Sequence, residues 1–266
     1  MKNKEYRIQD TDQISLSAER SVSKAVCQQS GPSGEAGLPT VVGITGGIGS
    51  GKSTIARALA ARGYAVYDCD KEAKRIIAEN AEVQQKIIEL LGEEAFTNPS
   101  APSLEERAGE EVSPIYNTSY VAQRVFAEPE LLEKLNHIVH PAVKEDICQQ
   151  ALPAVCQQSG LSAKRSISKA VLFIESAILY EAGLDSLCDK IFVIEAPEDI
   201  RIARSIARDY HGDASPENIN KVRARIRAQE AVCLPLGQAC IRHQMVVQND
   251  GKRSIDELVA DILQNL

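Results

Sequence analysis

Residues 43–63 read GITGGIGSGKSTIARALAARG. Within them, Gly46-Gly-Ile-Gly-Ser-Gly51-Lys52-Ser53 fits the pattern G-x-x-x-x-G-K-[ST]. The motif stands between a short β-branched run and a helical pattern, the context that makes it a phosphate-binding loop. Glycines let successive backbone N–H groups turn inward on phosphate oxygens, and the N-terminus of the following helix adds positive potential. Lys52 is expected to bridge the β- and γ-phosphates of a nucleoside triphosphate, and the Ser53 hydroxyl to ligate Mg²⁺. Taken alone the loop says only that a phosphate is held. A switch, a motor and a kinase all use it.

Working outward, TVVGIT (40–45) reads as a buried strand that feeds the loop, and Lys52–Arg62 carries Ala, Leu and Ile at helical spacing until Gly63. Four more strand-like runs follow: YAVYD (64–68), AVLFIE (170–175), KIFVIE (190–195) and MVVQN (245–249). Helical patterns lie between them, and Ser254 with Glu257 forms a capping box ahead of IDELVADILQNL. Strands alternating with helices predict an α/β fold: a five-stranded parallel sheet sandwiched by helices, in a P-loop core of residues 40–70 and 170–266. Between the second and third strands lies a strand-poor block, about 71–152. Its segments KEAKRIIAEN, AEVQQKIIELL, YVAQRVFA and PELLEKLNHIVHPAVKEDI read as helices around a loop with Pro99, Pro102 and Pro114. It is expected to be a helical subdomain over the carboxyl edge of the sheet, where open α/β folds bind ligands.

Residues 1–39 are polar and aperiodic, and read as a weakly ordered extension. SAERSVSKAVCQQSG (17–31) and AVCQQSGLSAKRSISKAV (154–171) share one 16-residue unit entered at different points. Two distant copies read as a duplicated surface insert, about 154–169 in the second case, or as segments that pack together or bind a partner.

Composition narrows the classes. The 266-residue chain is 44% hydrophobic, enough for a buried core, and carries a formal net charge of −7 with a pI near 5.3. That balance argues against a broad basic face for nucleic acid, and the absence of Trp argues against base-stacking surfaces. No apolar run approaches the roughly 20 residues that span a bilayer. The N-terminus lacks the apolar core of a signal peptide. Seven scattered cysteines, never as C-x-x-C, read as reduced thiols of a cytoplasmic protein. His137 and His140 share a helical face without a completed metal set. The partner expected is a small molecule, and the chain is expected to be a monomer.

Two clusters beyond the loop carry chemistry. Asp68 and Asp70 follow the second strand as YDCD, where a carboxylate can face both the γ-phosphate and an acceptor; Asp70 is also a candidate helix N-cap. Glu175 ends the third strand, a place for an acidic residue near magnesium, with Glu181 six residues on. The stretch RIARSIARDYHGDASPENINKVRARIRAQ (201–229) sets Arg201, Arg204 and Arg208 on one helical face. After a polar turn, Arg223 pairs with Arg227 and Arg225 with Gln229 at i, i+4. Basic clustering in an acidic protein reads as a mobile lid closing on a phosphoryl group, or as a solvated helical hairpin. Asn249-Asp-Gly is a turn that can also touch a base edge.

No N-K-x-D guanine reader is present, and a motor needs more chain; a P-loop, a helical block and an arginine lid in this order suit a small kinase. The ordered set GITGGIGSGKST, YDCDKEAKRI, VFAEP…LEKLNHIVHPAV, FIESAILYE, RIARSIARD…RARIRAQ and NDG resembles the dephospho-coenzyme A kinase family over most of residues 40–266. The resemblance implies ATP-dependent phosphorylation of the ribose 3′-hydroxyl of dephospho-coenzyme A. It implies that Gly47, Ile48, Gly49, Ser50, Gly51, Lys52, Ser53 and Thr54 bind ATP phosphates, with Arg208, Arg225 and Asn249 adding to the ATP site. Lys52, Asp70, Arg204 and Arg208 would be catalytic, and Asp70, Arg124, His140 and Glu175 would contact the acceptor. Ala177 stands where family members often have proline, and Thr118 where a basic residue is common. Another P-loop kinase for a nucleoside, nucleotide or small alcohol, and a nucleotide-sensing binding protein, are the alternative readings.

Overall fold

The computed structural model describes residues 39–97, 115–161, 170–232 and 244–266. The N-terminal extension, the first copy of the repeated unit, the proline-bearing loop and residues 162–169 of the second copy lie outside the described residues. The described residues cluster as two compact units, one within residues 39–67 and 147–266 and the other within residues 68–146.

The first unit is built on a five-stranded parallel sheet in the order β2-β5-β1-β6-β7. Its strands are β1 (Thr40–Gly46), β2 (Ala65–Asp68), β5 (Val171–Glu175), β6 (Lys190–Glu195) and β7 (Gln244–Gln248). Every residue of β5 is buried, which is why its sequence runs apolar rather than alternating. The register pairs Ile44 with Glu175 and with Phe192, and Gly46 with Ile194. The carboxyl ends of β1, β5 and β6 therefore stop side by side, and the phosphate loop springs from the central one.

Helices α1 (Lys52–Ala61) and α9 (Ile255–Gln264) cover one face of the sheet. Ile55, Leu59, Leu258, Val259 and Ile262 interdigitate there with Val42, Ile44, Phe173, Phe192 and Val247. Tyr64 meets Phe173 edge-on, with ring centroids 5.6 Å apart. The Ser254–Glu257 capping box forms as the sequence predicts, each residue bonding the other's backbone N–H. Helix α6 (Leu152–Leu161) differs from the expectation of a surface insert. The first half of the repeated unit simply continues this helix, Val155 is buried, and α6 packs against β5. A cysteine- and valine-bearing face was available to the core.

The second unit holds α2 (Cys69–Glu79), α3 (Ala81–Leu91), α4 (Thr118–Ala127) and α5 (Pro129–Asp146), with a small antiparallel pair, β3 (Phe96–Thr97) and β4 (Ile115–Tyr116). The pair was not expected from a strand-poor block. The Phe96 and Tyr116 rings meet across it, centroids 5.5 Å apart and tilted by 58°, which adds a cross-strand contact to a very short ladder. Asn80 both ends α2 and caps α3, accepting from the N–H groups of Glu82 and Val83. Helix α5 runs through Pro141 and gives way to a five-residue π turn at Ile147–Ala151. Arg75 of α2 donates to both oxygens of the buried Asp146 at 2.8 Å, tying the first helix of the unit to the last.

Leu59 is fully buried between α1 and the sheet. Leu59→Ala is expected to lower unfolding free energy by about 3 kcal/mol, read as a shift of the urea midpoint with unchanged slope.

Candidate nucleotide-binding site

The loop from Gly46 to Gly51 takes its shape from three left-handed or near-left-handed glycines: Gly46 (φ 148°), Gly49 (φ 76°) and Gly51 (φ 95°). A Cβ at Gly46 would fall 2.3 Å from the Ile194 carbonyl oxygen, and one at Gly49 would fall 2.4 Å from that of Arg201. At both positions the obstacle is backbone, which cannot swing aside. Ser50 N–H closes a turn onto the Gly47 carbonyl at 3.1 Å, after which α1 begins. The first hydrogen bonds of α1 run from Thr54 and Ile55 N–H to the Gly51 carbonyl at 3.1 Å, so the N–H groups of Lys52 and Ser53 stand ahead of them at the positive end of the helix dipole.

Lys52 and Ser53, the first two residues of α1, converge on Glu175 at the end of β5. The Ser53 hydroxyl donates to Glu175 Oε1 at 3.3 Å, and Lys52 Nζ lies 3.9 Å from the same oxygen. The Glu175 side chain is only 7% exposed, so its charge is held by these partners rather than by water. A hydroxyl beside a carboxylate is a hard-oxygen pair of the kind Mg²⁺ takes. Ser50 Oγ and Arg201 Nη2 are both buried beside the loop without a hydrogen-bond partner. Among the described residues no cluster of His, Cys, Asp and Glu forms a ready metal site. The donor set fits a metal shared with phosphate oxygens.

The back of the loop is braced. Arg204 on α7 (Glu198–Asp209) donates to the Ser50 carbonyl at 3.2 Å and to Asn249 Oδ1 at 3.1 Å. Asn249 in turn donates to the same carbonyl at 2.7 Å and is 3% exposed. Both polar atoms of the Asn249 amide thus serve the loop. Gln229, near the end of α8 (Pro216–Val232), accepts from Ile48 N–H at 2.6 Å. The i, i+4 pairing of Arg225 with Gln229 does not form, because Gln229 has turned to the loop. Arg201 donates to the Ile48 carbonyl at 2.8 Å and pairs with Glu230 at 2.6 Å. Beside these groups opens a cavity of about 600 Å³, walled by Gly47, Ala177, Tyr180, Pro197, Arg201 and Gln229 among others. Burial, then the nearby Asp185, pushes the Tyr180 hydroxyl up to about 12, so it remains a donor, here to Gln244 at 3.0 Å.

Arg208 and Arg225 meet across the α7–α8 hairpin. Asp209 accepts from Arg208 at 2.6 and 3.1 Å and from Arg225 at 2.7 Å. Hydrogen bonding from Arg208, then from Arg225, holds the Asp209 carboxyl down to about 2. A depressed carboxyl contributes above its unfolded value and is lost only as pH falls through the folded one. The carboxylate's contribution to the fork is therefore present above the usual carboxylate range and is lost as pH falls toward about 2. Asp209 escaped the sequence reading as a functional residue; its signal was adjacency to Arg208 and a position sixteen residues before Arg225.

Asp70, Arg124 and His140 belong to the second unit. The N-cap of α2 is Asp68, which accepts from Lys71 N–H at 3.0 Å, so the capping role weighed for Asp70 falls two residues earlier. Asp70 lies exposed in the first turn. Arg124 sits on α4 with its Nε buried and without a hydrogen-bond partner, and Nη2 3.6 Å from Glu128. His140 is half-buried on α5, and Thr118 is the first residue of α4.

A parallel sheet with a P-loop leaving its central strand, a carboxylate on the neighbouring strand and an arginine-bearing hairpin define a P-loop kinase. The family model described as dephospho-CoA kinase matches residues 40–254. A curated dephospho-CoA kinase of Chlorobaculum tepidum is 34% identical over 86% of this chain and 95% of its own length. One of Porphyromonas gingivalis is 38% identical over 63% of this chain and 69% of its own. A crystal structure from Thermus thermophilus aligns with a TM-score of 0.54 at 27% identity, covering 86% of this chain and 96% of the other. The chain belongs to the dephospho-CoA kinase family.

The two glycines beside Ile48 separate backbone from side-chain obstruction. Gly49→Ala faces a carbonyl and a positive φ, whereas Gly47→Ala meets only the movable end of Arg201 at 2.5 Å. Gly49→Ala is expected to weaken ATP binding by about hundredfold and Gly47→Ala by less than about tenfold, measured by calorimetric titration.

Proposed function

We propose that this chain transfers the γ-phosphoryl group of ATP to the ribose 3′-hydroxyl of dephospho-coenzyme A, releasing ADP and coenzyme A, the last step of coenzyme A synthesis. The observation that carries the reading is the convergence of Lys52 and Ser53 on Glu175 at an intact phosphate loop, in a chain of this family. The new bond joins the acceptor oxygen to the γ-phosphorus as the bond to the β-bridging oxygen breaks. Asp70 orients the acceptor hydroxyl and takes its proton late. Because the transition state is loose, placement matters more than base strength.

Each residue then has a task. The Gly49–Thr54 backbone cradles the phosphates and Lys52 spans the β- and γ-groups. Arg208 and Arg225, prepared on Asp209, supply positive charge to the transferred group, while Arg204 and Asn249 hold the cradle's shape from behind. Arg124, His140 and Glu175 serve the acceptor side. Ser53 and Glu175 would hold Mg²⁺, which when bound neutralises charge on phosphate oxygens. The proposal extends to a cytoplasmic protein, on seven scattered cysteines that never form C-x-x-C, and to a monomer, on a site that asks nothing of a second copy. Light scattering tests the latter.

The decisive assay is ADP release from ATP with dephospho-coenzyme A, with a nucleoside set, or with no acceptor. Stimulation by dephospho-coenzyme A is expected, and its absence overturns the reading. Asp70→Asn is expected to cut kcat by about a hundredfold or more while the KM for ATP moves less than about threefold.

A further inference from the structure

Ile48 is the one loop residue whose side chain leaves the loop altogether. It packs with Tyr210 and Ile219 onto the buried cluster Ile202, Ile206, Val222 and Ile226, the private core of the α7–α8 hairpin. Both of its backbone groups are taken by that hairpin as well. Its N–H donates to Gln229 of α8 at 2.6 Å and its carbonyl accepts from Arg201 of α7 at 2.8 Å. Arg201 then pairs with Glu230, the neighbour of Gln229, at 2.6 Å, which closes the ring between the two helices. Gly49 is what lets α7 come this close, since a Cβ there would fall 2.4 Å from the Arg201 carbonyl oxygen, while a Cβ at Gly47 would press on the Arg201 guanidinium at 2.5 Å.

These contacts have a mechanical consequence. In the transfer reading the backbone that cradles phosphate begins at Gly49, one peptide beyond the clamped residue. Arg208 lies two turns along α7 from Arg201, about 10 Å of helix rise. Arg225 lies about one turn from Gln229. The hairpin is therefore a packed lever, seated on the loop at its base and carrying the arginine fork about one to two turns away.

We propose that Gln229, with Arg201, latches the phosphate loop to the arginine hairpin through Ile48, making Gln229 a positioning residue for phosphoryl transfer. The latch sets the distance between the cradle amides and the arginines that share the transferred group. A lid that swings as a whole gives way to one anchored at its base. The proposal rests on the transfer reading above, and its test keeps the two separable.

Gln229→Met keeps length but removes the acceptor for Ile48 N–H, and Gln229→Glu keeps an acceptor oxygen beside Arg201. In the full chain, Gln229→Met is expected to speed backbone hydrogen exchange of the peptide containing Ile48 by about tenfold or more. It is expected to lower kcat by about tenfold to a hundredfold with KM for ATP within about threefold. Gln229→Glu is expected to return both to within about threefold of the parent. Unchanged exchange, or faster exchange with full kcat per folded enzyme, overturns the latch. A loss confined to thermal stability overturns it too. If Gln229→Met does not fold, Ile48→Val, with a shorter peg, carries the same exchange and kcat readouts. If the parent itself shows no turnover with dephospho-coenzyme A, the transfer reading fails, while the exchange contrast still judges the latch.

Discussion

A phosphate loop has to point several backbone N–H groups at one spot, and it can do so only by giving up the side chains that would otherwise hold it. Gly46, Gly49 and Gly51 supply the positive φ angles, but glycine is also the residue that loses most freedom on ordering. Such a loop does not keep its shape unaided. In this protein the surrounding structure supplies the shape: Arg204 and Asn249 on the Ser50 carbonyl, Gln229 and Arg201 on the two sides of Ile48, and the Ile194 carbonyl tight against Gly46. Most of these braces come from the hairpin and from β7's end, far along the chain.

The same economy appears in charge. The protein is acidic overall, with 37 Asp and Glu against 30 Lys and Arg, yet cations gather at the phosphate end of the sheet. Four of them stand beside a carboxylate. Lys52 has Glu175, Arg201 has Glu230, and Arg208 and Arg225 share Asp209. Each carboxylate keeps a cation in place before a phosphate arrives, so less ordering remains to be done on binding. The exposed Arg208–Asp209 pair adds little to stability on its own account, since surface pairs are screened. Its worth is geometric.

Much of this was legible in the chain. All five parallel strands fall within a residue or two of the runs that predicted them; β1, β5 and β6 are buried on both faces and so have to be apolar, whereas the edge strand β7 is largely exposed. The P-loop and the Ser254 capping box were readable because their geometry is local: a few consecutive residues contain every atom involved. Other features misled or stayed hidden. Helical spacing paired Arg225 with Gln229, but spacing cannot see that Asp209 and Ile48 compete for those side chains across the hairpin. Two aspartates one residue apart left the N-cap open, and the backbone turn at the end of β2 gave it to Asp68. A Ser- and Gln-rich repeat read as surface insert because composition averages over a helix, whereas burial is decided by the one face that carries Val155.

The sequence by itself thus determined the parallel α/β core, the phosphate loop, the presence of an arginine-bearing hairpin and the family to which the chain belongs. Each of these is written in runs of neighbouring residues. Only the tertiary structure decided which arginine braces the loop and which joins the fork, that Ile48 belongs to the hairpin's core, and that Gln229 holds its amide. The bracing of the loop depends on contacts between residues separated by 150 positions or more, such as Arg201 with Ile48 and Gln229 with Ile48, and the fork on Asp209 with Arg225 across the hairpin. Side chains so far apart in sequence compete for partners only once the sheet has brought their elements together.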